Sequence, residues 1–145
     1  DVWFSAEGGP GLLKLDNDEF AYDAIQVDIE STSAEDPRLE WEVQASGASR
    51  HQARERCLAV DFPVQRSEDS TRVTIPEMLA FPVSNRFRGQ AVHLTLFVPM
   101  GKTVNIHASM APYLRNIKNA DELLSAKLAG KQWVMTENGL TMKPE

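Results

Sequence analysis

The residues in this chain whose type and spacing could do chemistry are few. They are the lone cysteine Cys57, the histidines His51, His93 and His107, the acidic run Asp16-Asn17-Asp18-Glu19, and the stretch Gly8-Gly9-Pro10-Gly11. A Cys–His nucleophile needs thiol and imidazole in contact. Six residues separate His51 from Cys57, which is about 240° around a helix, so the two side chains diverge. Cys57 shares a helical face with Ala53, with Leu58 beside it, and reads as a small buried hydrophobe. His93 and His107 fall on the polar sides of alternating segments. They would approach only if their strands were neighbours, and a metal would still need further ligands, for which Thr95 and Asn105 are poor. The acidic run lacks the alternate spacing and the glycine of a calcium loop, so a solvated turn is expected. The glycine stretch is followed by no Lys-Ser/Thr and no helix, so it is not a phosphate loop. GxSxG, HExxH and GxGxxG are absent from the sequence. Asp28 with Glu40 or Glu42 resembles a glycosidase pair only in composition, because carboxylates on an open strand face lack the desolvation that makes one of them an acid. These residues predict no catalytic, cofactor-binding or metal-ligating set.

The bulk numbers narrow the classes further. At 145 residues, 42% hydrophobic and 25% charged, the chain suffices for one domain with a real core. A net charge of −6 argues against nucleic acid and against charge-driven docking on anionic lipid. A single cysteine permits no internal disulfide and no cysteine-based zinc site. No apolar run approaches the roughly 20 residues of a membrane span. Asp1–Ser5 shows no basic-then-apolar leader. The abrupt start in strand-like sequence suits a domain cut from a longer protein.

The positioning elements are mostly strands. Val92, Leu94, Leu96 and Val98 point one way and His93, Thr95 and Phe97 the other, before Pro99 and Gly101 turn the chain. Ala24–Glu30, Leu39–Ala45 and the segment with Val104 and Ile106 alternate in the same manner. One apolar and one polar face per strand describes sheets packed on one side and wet on the other. Shorter strands are expected at Val2–Phe4, Leu12–Leu15, Val60–Val64, Arg72–Ile75 and Gln132–Met135. Ser33–Pro37 reads as a hairpin loop. Ser49 and Gln52 make a capping box for one helix. Asn119 as cap, Glu122 three residues on, Ala120, Leu123, Leu124 and Leu128 as apolar face, and Gly130 as stop predict a second. The fold expected is all-β, a mostly antiparallel twisted sheet or sandwich, with two short helices. A right-handed β-solenoid is the alternative.

Phe97 faces outward on a strand whose other side is already apolar, so either the second helix covers it or it belongs to a contact surface. The surface predicted for interaction comprises Arg86, Arg88, Gln90, His93 and Phe97. The competing expectation is that Arg86 and Arg88 pair with acids on a neighbouring strand.

Leu13-Lys-Leu-Asp-Asn-Asp-Glu-Phe20, Ala45-Ser-Gly-Ala-Ser-Arg-His-Gln-Ala53, Arg86-Phe-Arg-Gly-Gln90, Val98-Pro-Met-Gly-Lys102 and Trp133-Val-Met-Thr-Glu-Asn-Gly-Leu140 follow one another in a familiar order. From about Leu12 to Met142 the chain resembles the envelope-facing C-terminal domain of Bacteroidota phage-shock-protein-C-like membrane proteins. More loosely, it is similar to autotransporter adhesin head domains of those bacteria. The resemblance implies a membrane region elsewhere in the parent, a domain on the periplasmic side of the inner membrane or in the cell envelope, and a link to envelope stress. It carries over no catalytic residue. The function expected is a non-enzymatic sensing or interaction module without cofactor, whose partner is another protein or a second copy. The alternatives are a glycan- or lipid-binding module, with Trp3 beside Phe4 or Phe97 as aromatic platform, and a glycan or lipid hydrolase. Gly- and Asn-rich solenoid rungs are missing from the sequence, which favours a sheet or sandwich over a solenoid.

Overall fold

The computed structural model describes residues 2–7, 13–15, 19–69, 71–86 and 88–143. Twelve strands run β1 Val2–Glu7, β2 Leu13–Leu15, β3 Glu19–Tyr22, β4 Ile25–Thr32, β5 Arg38–Gln44, β6 Gln65–Arg66, β7 Arg72–Pro76, β8 Leu79–Pro82, β9 Ala91–Pro99, β10 Thr103–Ile106, β11 Lys131–Thr136 and β12 Gly139–Met142. One α-helix, α1, spans Arg50–Leu58. The strands form a six-stranded sheet in the order β12-β11-β10-β1-β7-β6 and two three-stranded sheets, β2-β3-β8 and β4-β9-β5. No helix among the described residues is long and apolar enough to cross a membrane. Residues Gly8–Gly11 and Asp16–Asp18, singled out above, lie outside the described residues.

The β architecture is the one the alternation predicts. Most neighbouring strands are antiparallel, but β1 runs parallel to both β10 and β7, and β4 runs parallel to β9. β1 lies between strands that follow it by about half and about two thirds of the chain, so the sheets do not stack as successive solenoid rungs. Val92, Leu94, Leu96 and Val98 are all wholly buried, a contribution on the order of 6–12 kcal/mol gross. They join Ile25, Val27 and Ile29 of β4, Val2 and Phe4 of β1, and Trp133 and Met135 of β11 in one contiguous core. The Trp133 indole N–H is satisfied inside that core by the Leu128 carbonyl at 2.8 Å.

Three expectations need correction. Ser33–Pro37 does not close a hairpin: β4 and β5 flank β9 on opposite sides. Its five residues arch across the strand between them, a separation of about 9–10 Å that the chain spans easily. The second helix does not form. Ala120 N–H bonds the Leu140 carbonyl at 2.9 Å, and Glu122 adopts a left-handed φ of 53°. Only a short 3-10 turn follows at Ser125–Leu128. Asn119 is 8% exposed and knots this segment instead of capping a helix. Its Oδ1 accepts from Leu123 N at 2.8 Å, and its Nδ2 donates to the Ile117 and Leu123 carbonyls. Val60–Val64 is a strand only at the isolated Asp61–Ala80 bridge.

The first helix does form. Ser49 Oγ accepts from Gln52 N at 3.2 Å, and Gln52 Oε1 accepts from Ala48 N at 2.8 Å. None of its residues is fully buried. Cys57 is half-buried against β5, its thiol donating to the Val43 carbonyl at 3.4 Å, and Leu58 is 77% exposed. The helix is a lid on a strand edge, not a core element.

Candidate functional site

The outer face of β4-β9-β5 is built in lateral rows by its two registers. Gln26, His93 and Glu42 stand side by side, then Asp28, Thr95 and Glu40, then Glu30, Phe97 and Arg38. Adjacent strands lie about 4.8 Å apart, so the side chains of each row touch or nearly touch. The face carries four carboxylates and one guanidinium. His93 is exposed, while Thr95 and Phe97 are half-buried. Partial burial, and then Glu30, raise the Asp28 carboxyl above its ordinary value; an N–H from Ile29 and the charge of His93 work the other way.

Phe97 is covered, but by a side chain of its own sheet. The Arg38 guanidinium sits 4.5 Å from the ring centroid, while Arg38 Nε lies 3.1 Å from Glu40 Oε1. An arginine over an aromatic ring at an exposed site contributes modestly, about 0.5–1 kcal/mol, and swings aside at little cost. The ring therefore remains available to a partner.

The five residues predicted as one surface are not all on it. His93 and Phe97 share the face described. Arg86, Arg88 and Gln90 belong to the loop that leads into β9. Gln90 is wholly buried and acts as a pin: its Oε1 accepts from Arg88 N at 2.7 Å, its Nε2 donates to the Arg86 carbonyl at 2.8 Å, and its own carbonyl accepts the Tyr22 hydroxyl. That pin holds Arg86 at a left-handed φ of 54°. The Arg88 carbonyl in turn accepts from Ser46 N at 2.6 Å. Arg86 is exposed and Arg88 half-buried. The ion pairs among the described residues, Arg38–Glu40 and His51–Glu55, involve neither arginine.

His93 and His107 lie in different sheets. His107 Nδ1 is 2.8 Å from Ser109 Oγ and accepts from Ser109 N, closing the turn after β10. His51 pairs with Glu55 at 3.0 Å, away from Cys57. No group of three or more His, Cys, Asp or Glu poised for a metal ion occurs among the described residues. Of the aromatic platform, Phe4 is 1% exposed and Trp3 45%, so Trp3 stands on the six-stranded sheet without it and on a different sheet from Phe97.

Glu40, Asp28 and Glu42 were visible as outward residues of their strands, while Arg38 lay one residue before the expected strand. What sequence reading missed is that β5 lies beside β9, which brings them around His93 and Phe97. The arrangement can offer a flat, acidic surface tipped by an aromatic ring. A family model described as a ToastRack domain found in some PspC proteins, at their C-terminus, matches residues 14–143 of the chain. No curated protein and no solved structure matches it.

Proposed function

Because the chain belongs to the ToastRack family found in some PspC proteins, we propose that it is a non-enzymatic interaction module of a membrane-anchored cell-envelope protein. In this reading the domain sits on the periplasmic side, as in the Bacteroidota phage-shock-protein-C-like proteins it resembles, and reports envelope stress by engaging a protein partner or a second copy of itself. The family match over residues 14–143 carries the reading. The outer face of β4-β9-β5 supports it: its carboxylates and the ring of Phe97 suit a partner with basic and apolar groups better than they suit a reaction.

The test is made on the full-length parent in its own cells, by fractionation with protease protection and by sedimentation of the Phe97→Ser variant. The parent is expected with membranes, cut within this domain only after the outer membrane is opened. Phe97→Ser is expected to weaken association while stability changes by no more than about 1 kcal/mol, since the ring is only half-buried. A parent found soluble in the cytoplasm, or a variant that associates like the wild type, would sink the reading.

A further inference from the structure

The outer face of the six-stranded sheet carries a second arrangement, to which the family description assigns no role. Arg72, Trp3, Asn105 and Gln132 stand side by side on β7, β1, β10 and β11 because their registers coincide. With Lys131 nearby they line a groove of about 520 Å³. Two features set it apart from the rest of the surface. Its described lining includes two cations and no carboxylate, in a chain of net charge −6. It also holds an unmet hydrogen-bond acceptor. Asn105 is 7% exposed and alternates with the inward Val104 and Ile106, so its amide lies under the groove. Its Nδ2 donates to the Val2 carbonyl at 3.3 Å, and its Oδ1 has no partner among the described residues. A buried acceptor left open is costly, and an arriving donor recovers that cost.

We propose that this groove binds an acidic saccharide. Trp3, 45% exposed with the Arg72 guanidinium 5.6 Å from its ring centroid, offers an indole face to the C–H face of a sugar ring. A sugar hydroxyl donates to Asn105 Oδ1 once the side chains over it turn aside, and the amide of the exposed Gln132 pairs with a second hydroxyl. Arg72 swings from over the indole ring to pair with the sugar carboxylate, and Lys131 supplies the second positive charge. Two cations suit the low charge density of a uronate chain. A nucleic acid's denser charge would be repelled by the acidic remainder of the molecule. The inference holds whichever partner the β4-β9-β5 face takes, and its test uses the purified chain, so neither result decides the other.

The experiment is isothermal titration calorimetry of the 145-residue chain with tetragalacturonate and, in parallel, uncharged maltotetraose. Saturable, salt-sensitive binding of tetragalacturonate is expected, with maltotetraose at least about tenfold weaker. Trp3→Ala and Arg72→Gln should each weaken tetragalacturonate at least about tenfold. Gln132→Ala, an exposed position whose change leaves the sheet intact, should weaken it measurably and decides the matter if Trp3→Ala fails to fold. Absence of saturable tetragalacturonate binding, equal binding of maltotetraose, or binding indifferent to Gln132→Ala and Arg72→Gln overturns the proposal.

Discussion

Gln90 looks in the sequence like an ordinary polar residue at the start of a strand, which is why it was expected on the surface. Alternation assigns a face only once the strand has begun, and β9 begins one residue later, at Ala91. Buried with its amide pinned to two backbone groups, it holds the loop that aims the chain into the central strand of its sheet. Gln90→Ala leaves the Arg88 N–H and the Arg86 carbonyl unpaired and should cost about 2–4 kcal/mol in urea unfolding; a loss under about 0.5 kcal/mol would show that the loop closes without the pin. The tyrosines make a second residue-scale case. Tyr113, its hydroxyl donating to the Glu77 carbonyl at 3.2 Å, is pushed up to about 12 by burial and then by the carboxylates of Glu77 and Asp23. Burial also raises Tyr22. These are the chain's two tyrosines. Their neutral forms favour the folded state, so that contribution is fully present below pH 10 and lost as pH rises toward about 12. A spectrophotometric titration of the folded chain should place both tyrosinate steps above the ordinary pH 10, with Tyr113 at about 12. Two full steps at pH 10 would contradict the burial that raises them.

At the scale of elements, the strands whose polar and apolar residues alternate formed where they were expected, because period two needs only a sheet with one wet side. Their neighbours were not legible. Alternation in β4 and β5 says which side chains share a face, not which strand lies beside which. A five-residue loop can close a hairpin or arch over an intervening strand, so the acidic rows around His93 stayed hidden. The failed helix has a different cause. The apolar spacing of Ala120–Leu128 is real, and Leu128 is buried, but Ala120 N–H bonds to β12, and Glu122 and Lys127 N–H reach back three residues to Asn119 and Leu124, so no α-helical ladder starts. The same junction explains Gly139. Its φ is +88°, and a Cβ there would collide with the Lys118 backbone carbonyl, whereas Gly101, at +86°, faces open space. Gly139→Ala should therefore cost about 2–4 kcal/mol and Gly101→Ala only about 1 kcal/mol, compared by denaturant midpoints. Equal losses would mean that the left-handed backbone, not the close approach, sets both.

For the whole molecule, the placement of β1 governs the rest. A short strand was expected at Val2–Phe4, yet nothing local marks it as an interior strand, since both of its partners lie far along the chain and run parallel to it. The groove lined by Trp3 and Asn105 was illegible for the same reason: each residue could be assigned an outward face, but their adjacency exists only in the finished sheet. This placement also has a consequence in time. Phe4 must meet Val73 on one side and Ile106 on the other, partners roughly 70 and 100 residues downstream, the kind of topology that folds slowly. During synthesis, at about 5–20 residues per second, β1 emerges roughly 5–20 s before the last of them. For that interval the strand destined for the middle of the sheet has two open edges, the condition under which strands pair with the wrong neighbour. A strand from the middle of the sheet is thus the one that needs shelter longest while the chain is being made.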